Sequence, residues 1–233
     1  MERARKWCRR VVRRFYRPLA LREIARPTAQ LLGYSLSTDP EVFHPVCFLS
    51  THVFIEYLRR FDFAGRRFLD MGTGSGAVGI DAAHRGAIVT ACDVNPRAVR
   101  LAARNAGRNA IAIEVVESNL FAAIPGRQFD VICFNLPFYA QDPGTPFEHA
   151  LYGGRNFETI RDFASGCREA LAPRGAIIVI FSEDSGRERI LPLFAAAGFI
   201  PAEERTALRN LERFHLVRLE RSEESALPAE DQR

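Results

Sequence analysis

From residue 66 onward the sequence alternates short β-rich runs with helical stretches, the pattern of a parallel sheet joined by crossover helices. Strands are expected over 67–71, 88–92, 113–117, 130–134 and 176–181, and helices over 77–85, 96–108, 156–171 and 187–197. Pro96 suits a first helical turn, where its missing N–H costs nothing, and Gly198 suits a helix end. The last two apolar-alternating runs, 199–207 and 213–221, are separated by a short turn and predict an antiparallel pair. A helix over 50–60 is expected to lead into the sheet. With 233 residues the chain has the size of one large α/β domain plus a short appendage.

The appendage is visible in the charge. Residues 3–17 carry Arg3, Arg5, Lys6, Arg9, Arg10, Arg13, Arg14 and Arg17, while the whole chain is only +4. A basic arm therefore precedes a mildly acidic body. Trp7, Val11, Phe15 and Leu19 recur every four residues, as an amphipathic helix requires. Three readings of the arm stay open: packing on the main domain, contact with RNA, or contact with an anionic membrane surface. The expected organisation is a helical arm over 1–45, a domain over 46–221 and a polar disordered tail over 222–233. No apolar run approaches the roughly 20 residues of a membrane-spanning helix, and no apolar stretch follows the basic start as in a secretory signal. The five cysteines are scattered without a C-x-x-C pair, and the five histidines show no metal spacing. Both point to a reducing, cytoplasmic setting and to no metal.

The sharpest motif is Asp70-Met-Gly72-Thr-Gly74-Ser-Gly76-Ala77, which closes one strand and opens a helix. Glycines there let the backbone turn tightly and come close to a ligand. Such a strand-to-helix crevice is where open α/β sheets bind nucleotides. On the loop alone, nicotinamide cofactors and S-adenosylmethionine both remain possible. Asp70, two residues before the first glycine, would repel a pyrophosphate and is suited to a ligand ammonium group. Asp93, at the end of the next strand, can accept from both hydroxyls of a ribose.

The strand over 130–134 runs into Asn135-Leu136-Pro137-Phe138. Here the sequence resembles the class I S-adenosylmethionine-dependent methyltransferases that act on planar nitrogens, whose signature is [N/D]-x-P-[Y/F]. The glycine loop and Tyr152-Gly153-Gly154-Arg155 are most similar to the HemK-type release-factor glutamine methyltransferases. The Asn-Leu-Pro-Phe form is closer to the ribosomal RNA adenine dimethyltransferases. The resemblance covers about residues 43–221. It implies a seven-stranded, mostly parallel Rossmann-like sheet with an antiparallel C-terminal hairpin, and S-adenosyl-L-methionine as cofactor. It further implies that Gly72, Gly74 and Gly76 cradle that cofactor, Asp70 supports its amino end, Asp93 binds its ribose and Asn119 contacts its adenine. Asn119 stands where these families have Asp, and its side-chain oxygen can still accept from an amino group.

The same resemblance assigns the reaction. An amide or exocyclic amine nitrogen is a poor nucleophile because its lone pair is delocalised. The Asn135 side-chain oxygen and the Leu136 carbonyl can hold its two N–H groups, Phe138 can stack on its plane, and Pro137 stiffens the loop. The acceptor implied is a protein glutamine; RNA adenine, a small molecule, a nicotinamide oxidoreductase and a non-catalytic RNA-binding homologue are the alternatives. Ser50 or Thr51 can cap the helix that follows or meet the cofactor's carboxylate. Residues 139–155 are long enough for a substrate lid, in which His149 can face the substrate or the solvent. Tyr152 to Arg155 can form a clamp or a plain turn.

Overall fold

The computed structural model describes residues 26–222. In chain order the strands are β1 (Thr28–Leu31), β2 (Tyr34–Ser37), β3 (Arg67–Met71), β4 (Ile88–Asp93), β5 (Glu114–Glu117), β6 (Phe129–Asn135), β7 (Leu171–Ser182), β8 (Phe199–Arg209) and β9 (Glu212–Arg221). The helices are α1 (Leu49–Leu58), α2 (Ala77–His84), α3 (Pro96–Arg108), α4 (Glu158–Ala170) and α5 (Arg187–Ala196). Seven strands form one sheet in the order β5-β4-β3-β6-β7-β9-β8. Pairing is parallel from β5 to β7, and β9 runs antiparallel to both β7 and β8. The expected Rossmann-like sheet with its C-terminal hairpin is therefore present.

Period-two alternation along the central strands makes two apolar layers. Phe68, Val131, Cys133, Ile178 and Ile180 point to one face and pack with Phe54, Ile55, Val78 and Ile80 from α1 and α2. Met71, Ile132, Phe134, Val179 and Phe181 point to the other and pack with Phe163 and Phe194 from α4 and α5. The helix starts follow local chemistry. Asn95 caps α3 by accepting from the Arg97 N–H, with Pro96 in the first turn. At the start of α2, Gly76 has φ of 84°, and a Cβ there would sit 3.0 Å from the backbone of Ala102 in α3. Only glycine meets both demands.

Two expectations change. Residues 28–37 do not belong to a helical arm: β1 and β2 form an antiparallel hairpin, and Leu31, Tyr34 and Leu36 lie in the same core layer as α1 and α2. Asn105 of α3 and its C-cap Asn109 attach it by imitating a neighbouring strand. The Asn105 oxygen accepts from Ser37 N–H at 2.7 Å while its nitrogen donates to the Ser37 carbonyl at 3.1 Å; Asn109 repeats the exchange with Ser35 at 3.1 and 3.0 Å. The second change is in β7, which starts at Leu171, directly after α4. Leu171 pairs with Phe129 before an irregularity in register, so the expected strand 176–181 is only its regular part. The basic arm over 3–17 and the tail from 223 lie outside the described residues.

Candidate active site

The C-terminal ends of β3, β4 and β6 open into a cavity of about 460 Å³. Its floor is the glycine loop. Gly72 and Gly74 have φ of 62° and 55°, and a Cβ on Gly72 would strike the Phe134 ring at 2.6 Å. Gly72, Thr73, Gly74 and Ser75 line the cavity; Gly76 does not, being turned onto α3. The expected cradle of three glycines is thus two cavity glycines and one packing glycine.

Asp70 is 3% exposed at the end of β3. Its Oδ2 accepts from the Thr73 hydroxyl at 2.6 Å and from the Gly79 N–H at 3.0 Å. These bonds favour the carboxylate, but burial outweighs them and pushes the group up to about 7. Asp70 therefore anchors the loop as well as lining the cavity. Asp93 ends β4. Its Oδ2 accepts from Gly74 N–H at 2.8 Å and its Oδ1 from Asn95 N–H at 2.9 Å. Burial raises its pKa against those donors. Among the described residues no arginine pairs with either aspartate. After β5, Ser118 donates to the Leu120 carbonyl at 2.7 Å and accepts from Ala123 N–H at 3.0 Å, and this turn presents Asn119 as an exposed wall residue.

The loop after β6 is divided between wall and core. Asn135 and Pro137 line the cavity. The Asn135 Nδ2 donates to the Ser50 hydroxyl at 3.0 Å, which leaves Oδ1 buried and without a partner. An unpaired buried acceptor is costly unless a ligand uses it. Leu136 is fully buried and donates its N–H to the Ile180 carbonyl at 3.0 Å. Phe138 is also a core residue, 6% exposed and edge-on to Tyr139, and it is not part of the cavity wall. The stacking face expected of Phe138 is not brought to the cavity, because Leu136 and Phe138 are both packed into the core.

Aromatic walls come instead from Phe43, stacked on Phe48 at 4.0 Å, and from Phe147 in the loop over 139–155, two residues with no site role in the sequence reading. Thr51 reaches the wall as well, while Ser50 meets Asn135. Neither caps α1, whose N-cap is Phe48 without a side-chain bond. The long loop folds back over the site. Tyr139 N–H donates to Leu151, Gly153 N–H to Tyr139 and Gly154 N–H to Gln141, at 2.9 to 3.0 Å. A Cβ on Gly153 would lie 2.7 Å from the Pro137 carbonyl, so this glycine lets the lid press on the Asn135–Phe138 loop. Arg155 pairs with Asp142 at 2.6 Å and is 80% exposed, so Tyr152 to Arg155 is a docking turn rather than a clamp. His149 lines the cavity.

This lining suits S-adenosylmethionine. Two carboxylates without cationic partners match an ammonium group and a pair of ribose hydroxyls, and the free Asn135 oxygen matches a second molecule's N–H. Comparison with known proteins agrees. A release factor glutamine methyltransferase of Deinococcus radiodurans is 34% identical over 178 residues, covering 70% of this chain and 61% of that enzyme's length. The chain thus spans about three-fifths of that relative. The E. cuniculi Mtq2 structure, solved with Trm112 as the complex that methylates the eRF1 termination factor, superposes with a TM-score of 0.59 at 21% identity, covering 78% of this chain and 99% of that one. A Thermus thermophilus 16S rRNA guanine-N2 methyltransferase, solved with S-adenosylmethionine and guanosine, gives 0.63 at 20% identity, covering 82% of this chain and 49% of that one. Both structures share the fold. The family model described as the methyltransferase small domain matches residues 33–196, which is most of the sheet and its helices, and the chain belongs to that family of S-adenosylmethionine-dependent enzymes.

Proposed function

We propose that this enzyme methylates a planar amide nitrogen, that of a glutamine side chain in a protein of the translation machinery. The observation that carries the reading is the Asn135 Oδ1, a buried acceptor with no partner at the wall of the cofactor cavity. The names of the curated relatives point the same way: the Deinococcus radiodurans enzyme is a release factor glutamine methyltransferase.

When bound, the cofactor supplies an electrophilic methyl group on a sulfonium, which departs as a neutral thioether. The chain's own work is holding and orienting. Asp93 accepts from the ribose hydroxyls, Asp70 faces the amino end, Gly72 and Gly74 admit the ligand to the backbone, and Asn119 accepts from adenine. Asn135 Oδ1 and the Leu136 carbonyl take the two N–H groups of the acceptor, so that its lone pair faces the methyl. The Leu136 N–H bond to Ile180 fixes the Asn135–Leu136 peptide plane, next to the plane that carries the Leu136 carbonyl. Pro137 limits the loop's freedom before the substrate arrives. Phe138 supports the loop from the core, and Phe147 is the aromatic face offered to the acceptor plane. Orientation of this kind can supply about 7–11 kcal/mol of barrier reduction; as the N–C bond forms and the S–C bond breaks, the nitrogen gives up one of its two protons to water.

The test is transfer of tritiated methyl to a lysate, followed by ribonuclease or protease. Label lost to protease and resistant to ribonuclease is expected; the reverse overturns a protein acceptor. Asn135→Ala should lower transfer on the order of 10²–10³-fold, the scale for one preorganised transition-state contact. Its affinity for S-adenosylhomocysteine should stay within about threefold. Transfer unchanged by this substitution rejects the mechanism.

A further inference from the structure

We infer that Phe43 faces the sulfonium of the cofactor and makes the cavity hold the charged methyl donor more tightly than its neutral thioether product. The inference deepens the reading above and rests on its placement of the cofactor.

That placement leaves the sulfonium little choice. In S-adenosylmethionine the sulfur joins the amino-acid chain to the ribose, so it lies between the amino end, given to Asp70, and the ribose hydroxyls, given to Asp93. The chain that links these two carboxylates is the glycine loop: the Thr73 hydroxyl donates to Asp70 at 2.6 Å and Gly74 N–H donates to Asp93 at 2.8 Å. Phe43 stands beside it. A Cβ on Gly74 would lie 4.0 Å from Phe43 Cβ and 3.9 Å from Val42 Cγ1, and Val42 is buried in a cluster with Ala98 and Leu101 of α3. On its other side Phe43 stacks on Phe48, two residues before Ser50, whose hydroxyl meets Asn135. Phe43 thus bridges the loop that holds the donor and the residue that holds the acceptor, where a transferable methyl group must lie.

The face of an aromatic ring is negative and attracts a cation. Phe48 covers one face of the Phe43 ring at 4.0 Å and takes no part in the cavity wall, so the half-buried ring is backed from outside. Elsewhere among the described residues arginines sit over six aromatic rings, but none sits over a ring of the cavity wall. Of the other two wall rings, Phe134 is 6% exposed and edge-on to Phe163, and Phe147 belongs to the lid. The donor carries a positive charge on sulfur and the thioether product carries none there, while the rest of the two molecules is the same. Attraction to the ring therefore acts on the donor alone, and the product leaves a site that no longer favours it.

Calorimetry with S-adenosylmethionine and with S-adenosylhomocysteine measures this without turnover. Phe43→Leu keeps an apolar side chain and removes the ring face. Affinity for the donor should fall about tenfold, within the range for a partly desolvated cation over a ring, while affinity for the product stays within about twofold. Phe43→Tyr, which keeps the ring, should restore most of the donor's affinity. Equal weakening of both ligands makes Phe43 a plain wall and overturns the inference. Two unchanged affinities overturn it as well, and a raised KM for the acceptor beside them assigns the ring to the acceptor. These outcomes leave the reading above standing. Failure of the natural protein to bind either ligand overturns the reading and the inference together.

Discussion

The two ends of the sheet treat acidic residues in opposite ways. Where β3, β5 and β6 begin, carboxylates are met by arginines. Asp130 takes the Arg67 guanidinium at 2.9 Å and also its N–H at 2.9 Å, and Glu114 takes Arg127 at 2.7 Å. Those bonds hold both carboxyls below the usual range. Where β3 and β4 end, Asp70 and Asp93 receive only neutral donors, and burial raises both. The fold closes its electrostatics at the start of the strands and leaves them open at the finish. Carboxylates kept from cationic partners are available to a cationic or hydroxyl-rich ligand, and this separates a binding edge from a structural one.

The contrast breaks most visibly at Asp93. Asp93→Ala removes the support of Gly74 N–H and, if Asp93 holds the ribose as proposed, two charge-assisted acceptors from it. Affinity for S-adenosylhomocysteine by calorimetry should fall about 100-fold, two such bonds at roughly 1.5 kcal/mol each. A fall of less than fivefold means that Asp93 serves the loop and not the ligand.

Asp70 sharpens the contrast through pH. The folded state keeps its proton up to about 7, whereas an unfolded chain loses it near 3.8. The stabilisation this gives is complete below 3.8 and is lost as pH rises through 7. Asp70→Asn removes that dependence, so its melting temperature should gain on the natural protein between pH 5 and 8. Cofactor binding runs the other way. A ligand ammonium beside Asp70 favours the carboxylate, so affinity for S-adenosylhomocysteine should rise about tenfold from pH 6 to pH 8 and be flatter in Asp70→Asn. Affinity that is flat in both proteins places the ligand's amino group elsewhere.

Much of this edge was legible from residues alone. β3 over 67–71 and α3 over 96–108 follow the sequence reading to the residue, because Pro96, the glycine loop and the apolar periodicities all agree. The β1–β2 hairpin was not legible. Its four-residue strands are too short to display alternation, and the asparagines that hold it look like ordinary polar positions on α3. Asn135 stood out by its motif, but its partner lies 85 residues earlier, on a helix whose first turn suggested capping or contact with the cofactor's carboxylate. Phe138 was misplaced for a simpler reason. A motif gives residue types, whereas whether a side chain faces the cavity or the core depends on what packs around it, here the layer that also takes Leu136.

The smallest effect belongs to the closed end. Arg67 is 49% exposed, and its pairing with Asp130 sits in solvent. Surface pairs of this kind contribute little and are screened by salt. Arg67→Ala should leave cofactor affinity and kcat unaltered and lower the melting temperature slightly at low ionic strength, with the difference shrinking as salt is added. The reason it matters is the register: Arg67 and Asp130 are at the starts of the two adjacent parallel strands whose ends carry Asp70 and Asn135. If Arg67→Ala changes kcat, the starting edge sets the alignment of the catalytic loop, and the division between a structural and a binding edge fails. If it changes only salt-dependent stability, the main-chain ladder from Phe68↔Val131 to Met71↔Phe134 fixes that alignment on its own.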